Sequence, residues 1–341
     1  MITRASLTTG NWRRVAAIWA LLGLAMLVVA AFAPLVGATR IDYARAFGSG
    51  VAEGELNTDA IILFGTRLPR VLFGLVAGSA LAVAGAVYQA LLRNDLADPY
   101  TLGVSGGSAF GALLVISLAP AWGTSLYLPA VTFFFALGSV LTINGLSQWR
   151  FATPSASRLI LAGVTLNMIY SAGILLVQYL SDPYRTLSMI RWMMGGLDVT
   201  SWSVLTLVAF VTLAGSAVII WQARTLNLLS LGEMTAANLG VDVTRQRRLL
   251  LVVSSLMAST VVAYAGPIGF IGLIIPHMMR LAFGPDHRVL VVCCALAGGP
   301  FLVLCDSIGR SVMGATELPV GIITSLLGAP FFFWLLFRKA N

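Results

Sequence analysis

The sequence predicts an all-α, polytopic membrane protein with ten transmembrane helices and both termini in the cytoplasm. Three observations carry that fold class. Of the 341 residues, 58% are hydrophobic and 10% are charged, against about 45–50% and about 25% in soluble domains. Mean hydropathy is +0.92, more apolar surface than a core of this size can bury, so lipid must solvate the remainder. The apolar residues also fall in long charge-free runs, the form a membrane span takes.

In chain order those runs cover 15 to 39, 71 to 92, 99 to 149, 159 to 181, 199 to 223, 249 to 279, 289 to 305 and 318 to 337. A helix needs about 20 apolar residues to cross about 30 Å of hydrocarbon, so two of the runs are too long for one helix. The third carries Pro120, Gly123 and Pro129, and the sixth carries Gly266-Pro267, residues that interrupt helices. Splitting both gives ten spans and leaves 1–341 as a single transmembrane domain, with 224–248 as its longest cytoplasmic loop. The first run follows Arg13 and Arg14 and ends near Val36-Gly37-Ala38, in the manner of a signal peptide. Its apolar part exceeds the usual 7–15 residues, which favours a retained span.

Ten spans place both termini on one side. With that side inside, 14 Lys and Arg residues lie inside and seven outside, as the positive-inside rule requires. The outer segment 40 to 70 holds four of those seven, balanced by Asp42, Glu53, Glu55 and Asp59.

The same counts exclude several functions. A net charge of +8 suits nucleic acid or a membrane, and the apolar background selects the membrane, so no nucleic-acid partner is expected. Cys293, Cys294 and Cys305 form no C-x-x-C pair, and the two histidines, His277 and His287, cannot make a zinc motif, so no metal site is expected. The only lysine is Lys339, so the chain lacks the Gly-Lys-Ser/Thr of a P-loop and is not an ATPase or other enzyme. Asp306 and Glu317 fall at outer span ends, and no carboxylate or histidine pair falls mid-span. An ion-coupled secondary carrier, the alternative reading, would need such groups.

Several residues stand out inside the spans. Gly74 and Gly78, and Gly103, Gly107 and Gly111, recur at the four-residue spacing that lets helix backbones approach in lipid. Asn167, Ser171 and Gln178, at offsets of 4 and 11, fall within about 60° of one another on a helix. They form a polar stripe, either interhelical glue or the wall of a translocation route. In the inner loop, Gly232 and Gly240 bracket a short helical pattern with Leu231, Met234 and Leu239 as apolar contacts. That pattern is either a handle for a separate ATPase subunit or a helix lying at the interface.

A series of blocks then becomes specific: Arg67-Leu-Pro-Arg70, Gly85-Ala-Val-Tyr-Gln89, Asn94-Asp-Leu-Ala-Asp-Pro99, Leu102-Gly-Val-Ser105, Trp192-Met-Met-Gly-Gly196, Leu231-Gly-Glu233, Gly266-Pro-Ile-Gly-Phe-Ile-Gly272, Pro276-His277, Glu317-Leu-Pro-Val-Gly321 and Leu327-Gly-Ala-Pro330. In order and spacing, from about residue 60 to the C-terminus, they resemble the FecCD family of permeases, which import cobalamin, haem and ferric siderophores across the bacterial inner membrane. The resemblance implies a permease dimer, two ATP-binding subunits carrying the ATP and Mg, and a periplasmic binding protein. It also implies roles: Arg67, Arg70 and Arg310 as outward-facing cations that dock the binding protein; Gly232 and Glu233, within the stretch that includes Leu231, Met234, Leu239 and Gly240, as the coupling element; and Asn94, Leu96 and Ser155-Ala156-Ser157 as the cytoplasmic gate. Asp95 and Ala156 depart from the family pattern. Asn167, Ser171, Gln178, Met193 and Met194 are candidates for the pathway wall. Arg185 and Arg191 either meet an anionic substrate or anchor the outer segment.

Overall fold

The computed structural model describes residues 12–37, 39, 41–48, 56–118, 124–149, 156–199, 201–312 and 317–339. Among the described residues the regular structure is helical throughout: α1 (Trp12–Phe32), α2 (Tyr43–Ala46), α3 (Thr58–Ala60), α4 (Leu68–Leu92), α5 (Val104–Leu118), α6 (Thr124–Trp149), α7 (Ala156–Leu180), α8 (Pro183–Met193), α9 (Trp202–Trp221), α10 (Ala223–Ser230), α11 (Glu233–Asn238), α12 (Val243–Ala265), α13 (Ile271–Phe283), α14 (His287–Val312) and α15 (Val320–Lys339). Among the described residues seven helical stretches are long and apolar enough to cross a membrane, and Val104–Leu118, Ile271–Phe283 and Val320–Trp334 are shorter apolar helices.

Both breaks read from proline and glycine are present. The third run divides between α5 and α6, and the sixth divides at Gly266, where α12 ends. Gly266 has φ +67 and Phe270, capping α13, has φ +70, a left-handed pair of positions that no helix continues through. The span ends differ from the charge-free limits. The second span starts at Thr58, passing through a π-helical turn (Ile61–Arg67), α12 starts at Val243 and α14 runs to Val312. These extensions contain Arg67, Arg70, Arg247, Asp306 and Arg310, each bonded inside the protein. A compensated charge need not end a buried helix.

The centre of the bundle is α4, with 21 of its 25 residues buried, as expected of a helix apolar on every face. It packs against α14, α12, α13 and α9. Small residues permit this crowding. A Cβ on Gly78 would collide with the Gly298 carbonyl of α14, and one on Gly85 with the Gly272 carbonyl of α13. Added to Gly111, it would lie 2.9 Å from the Phe135 ring of α6. The four-residue glycine spacings are therefore packing surfaces. By contrast α1 buries only Val15 among its residues, and α7 exposes Leu161, Met168, Leu175 and Leu180.

Candidate functional site

At one end of the bundle the first turn of α4 meets the last turns of α14, and three arginines converge on them. Arg70 donates to Asp306 from Nη2 at 2.8 Å and from Nε at 3.2 Å. Its Nη1 also reaches Glu317 at 2.6 Å and Asp198 at 3.0 Å. Arg310, one turn after Asp306, pairs with it at 2.9 Å and donates to the Val36 carbonyl at 2.6 Å. Arg67 donates to the carbonyls of Pro34, at 3.2 Å, and Thr39. Arg67 and Arg310 are only 7% and 3% exposed, so the expectation of three outward-projecting cations is corrected. Burying a guanidinium requires partners, and here the chain's own carboxylates and the carbonyls of residues 33–39 supply them. Asp306 is likewise buried within α14 rather than exposed at its end.

Beside this network α8 lies across the same end of the bundle. Asp182 caps it by accepting the Tyr184 and Arg185 N–H groups, both at 3.0 Å, and Pro183 occupies its first turn, a favoured start. A cavity of about 710 Å³ opens between α8, the end of α12 and residues 317–320, with Arg70, Arg191, Trp192, Asp198, Tyr264 and Glu317 on its wall. It shares Met194 with a cavity of about 400 Å³ lined by Met193, Pro267 and the first turns of α15. Arg70, Asp198 and Glu317 are shared with a third, of about 280 Å³, beside Arg67 and Arg310. Three cavities are thus linked in series by shared lining residues, beginning at the arginine cluster.

The predicted pathway residues divide around these cavities. Met193 and Met194 line them. Arg191 lines the largest, whereas Arg185 is held by Asp182 at 3.1 Å and by the Ser117 carbonyl. None of Asn167, Ser171 and Gln178 lines these three cavities. Asn167 donates to the Tyr100 carbonyl at 3.2 Å, which makes it interhelical glue; Gln178 lies 3.8 Å from the Met193 sulfur, and Ser171 is exposed.

At the opposite end the segment 224–248 is folded rather than open: it is most of α10, all of α11 and the start of α12. The helical pattern between Gly232 and Gly240 is α11. Both glycines take positive φ, +124 and +85, conformations closed to most side chains. Glu233 pairs with the buried Arg247 at 2.5 Å, and Ala236 is fully buried, which fixes α11 on α12. Leu231, Met234 and Leu239 nevertheless point outward, Met234 being 81% exposed. Close by in sequence to the end of α4, Asn94 accepts the Leu96 N–H at 2.9 Å, Leu96 is exposed, and Asp95 pairs with Arg280 at 2.6 Å. Ala156 and Ser157 open α7; Ser155 lies outside the described residues. Asp98 is buried and accepts the Thr101 N–H at 3.0 Å. Burial pushes its carboxyl up to about 7, against the opposing pull of the Thr101 and Tyr100 backbone N–H groups.

The model of the FecCD transport family matches residues 24–338. The chain belongs to the FecCD family. Its curated relatives include the cobalamin import system permease protein BtuC of Halobacterium salinarum, 41% identical over 88% of this chain and 78% of that one. The hemin transport system permease protein HmuU of Yersinia pestis is 40% identical over 80% of this chain and 82% of its own. Among solved structures, a metal-chelate type ABC transporter in an inward-facing conformation aligns with a TM-score of 0.82 and 33% identity over 95% of this chain and 99% of that one. As a FecCD member the chain is a membrane-embedded ABC transporter permease.

Sequence reasoning on this FecCD chain missed two features. Asp98 sat inside a quoted block without being singled out, although an acidic residue directly before a proline is a helix-start signal. In the cavity wall Trp192 and Leu318 sat inside quoted blocks without being assigned to it, and Tyr264 had no signal, because in a chain this apolar such a residue does not stand out.

Proposed function

We propose that this chain is the permease subunit of an ATP-driven importer for a bulky metal chelate, of the ferric siderophore, cobalamin or haem class, in the bacterial inner membrane. The observation that carries the reading is the family match over 24–338 together with relatives described as cobalamin and hemin permeases. Seven long apolar helices and three shorter ones give ten spans if all cross, with both termini cytoplasmic. A second copy of the chain completes the pathway, and two ATP-binding subunits and a periplasmic binding protein complete the assembly.

The ends then take different tasks. The binding protein docks at the Arg70 end. Arg67 and Arg310 are committed there to internal partners, but Arg70 shares its charge with Asp198, whose side chain is 79% exposed, and with Glu317. A partner carboxylate can exchange with either of these, since exposed pairs are worth only about 0–1 kcal/mol. Substrate passes through the linked cavities along Met193 and Met194. Leu231, Met234 and Leu239, flanked by Gly232, Glu233 and Gly240, seat in the ATPase. ATP and Mg are bound there and not by this chain. Movement of that subunit carries α11 together with the start of α12, to which it is pinned, and alternates the gate at Asn94, Leu96 and 155–157.

The test is uptake by liposomes containing this chain, its ATPase and a loaded binding protein. Uptake that depends on internal ATP is expected. Uptake driven instead by an imposed proton or sodium gradient, with ATP irrelevant, would make the chain an ion-coupled carrier and sink the proposal.

A further inference from the structure

The largest of these three cavities is lined by four charged side chains, and three of them pair with one another. Arg70 is bonded to Asp198 at 3.0 Å and to Glu317 at 2.6 Å. The fourth, Arg191, makes no side-chain hydrogen bond or ion pair among the described residues. On the same helix Arg185 is spent on Asp182 and the Ser117 carbonyl, so α8 offers one available guanidinium, that of Arg191, which is exposed and lines the cavity. Around it the wall is apolar and aromatic: Leu187, Ile190, Trp192, Tyr264, Leu318 and Val320. A volume of about 710 Å³ falls within the range of cavities that enclose a single bulky ligand.

From this arrangement we infer that Arg191 selects for negative charge, and that the transported chelate is a largely apolar molecule bearing at least one free carboxylate. The inference rests on the importer reading above and narrows its substrate class. A guanidinium fork matches a carboxylate with two parallel hydrogen bonds, and Arg191 is exposed, so an entering carboxylate can reach it. In the undocked chain Asp198 and Glu317 are held by Arg70, at 3.0 and 2.6 Å, rather than by Arg191. A chelate without free carboxylates would leave the cation uncompensated as it filled the cavity, at the cost of its hydration.

The experiment uses the full chain in liposomes with its ATPase and binding protein, and four probes. Haemin and ferric citrate carry free carboxylates; ferrichrome and cyanocobalamin do not. ATP-driven uptake of a carboxylate-bearing probe is expected. Arg191→Gln should reduce it by at least about 10-fold, the factor that one lost charge-assisted hydrogen bond supports. Arg191→Lys should restore part of it, and Arg185→Gln should leave the ratio of charged to uncharged probes unchanged. The inference is overturned if only ferrichrome or cyanocobalamin is taken up. It is also overturned if Arg191→Gln stays within two-fold of wild type, or lowers all probes equally, as a lipid-anchoring arginine would. Uptake that ignores ATP altogether removes the importer reading itself, a result distinct from the other three.

Discussion

Asp306 and Asp98 are buried carboxylates in two different regions of the molecule, and the chain treats them in opposite ways. Asp306 lies between two guanidiniums, 2.8 Å from Arg70 and 2.9 Å from Arg310. Asp98 has the Thr101 N–H at 3.0 Å and no arginine partner among the described residues. Removing a carboxylate from water costs several kcal/mol unless an opposite charge stands beside it. The Arg70 end meets that cost with cations, whereas the Asp98 turn supplies only backbone N–H groups, and burial pushes that carboxyl up to about 7. A network of ion pairs can exchange members while its total charge stays compensated. The first region therefore suits docking and the second suits a fixed turn between α4 and α5.

The largest effect should come from Asp306→Asn. It leaves Arg70 and Arg310 without their shared anion in a buried setting, a loss of about 3–5 kcal/mol. Thermal unfolding in detergent should show a large fall in midpoint. Glu317→Gln, at a side chain 43% exposed, should cost less than about 1 kcal/mol. Equal losses from the two variants would break the contrast between buried anion and exchangeable rim.

The Asp98 side of the comparison is sharpened by pH. Burial pushes its carboxyl from the ordinary 3.8 up to about 7, so between those values the folded chain retains a proton that the unfolded chain releases. The stabilising contribution is fully present below about 4 and is lost as pH rises through about 7. Across that window the loss is about 2–4 kcal/mol. Asp98→Asn keeps an oxygen to accept the Thr101 N–H and has no proton to lose. Its melting temperature should therefore decline less than that of wild type between pH 4.5 and pH 8. Parallel profiles would place the titration elsewhere.

Smaller again is the effect of Glu233→Gln on α11. The pair with Arg247 is short, 2.5 Å, but the Glu233 side chain is 28% exposed and water can replace part of it. A loss of about 1.5–3 kcal/mol is expected, the range for hydrogen bonds to charged groups. Accelerated proteolysis confined to residues 231–242 would show that the damage is local.

How much of this was legible in the sequence depends on whether the cause was local. Helix breaks at Gly266 and between α5 and α6, and packing at Gly78 and Gly111, follow from residue type and spacing, and both were readable. Helix ends were not, because a charge-free run stops at the first arginine whether or not a partner waits 236 residues away, as Asp306 does for Arg70. Nor could hydropathy single out α4 as the central helix: in a lipid solvent an apolar residue is equally at home inside the bundle and on its rim. For the candidate site, the motif blocks gave the positions of Arg67, Arg70 and α11 and the family resemblance that of Arg310, but exposure is tertiary, and Arg67 and Arg310 proved buried. The Asn167 stripe was readable as polar and was left open between glue and pathway; the bond to Tyr100 is a contact between α7 and the turn before α5 that no spacing reveals.

The smallest expected effect on stability, and the most discriminating for function, concerns Leu231, Met234 and Leu239. All three are exposed around α11, so changing them to Ser removes no buried contact, and stability should move by no more than about 0.5 kcal/mol. An apolar cluster held outward on a helix that is itself pinned by Glu233–Arg247 and Ala236 has no reason within this chain to be apolar. If the cluster seats in an ATPase subunit, co-purification of that subunit with the triple Ser variant should fall sharply while the melting temperature stays near wild type. If instead it floats on the membrane surface, the ATPase should remain bound. The two ends of the bundle would then differ in charge chemistry alone, with the ATPase held somewhere other than α11.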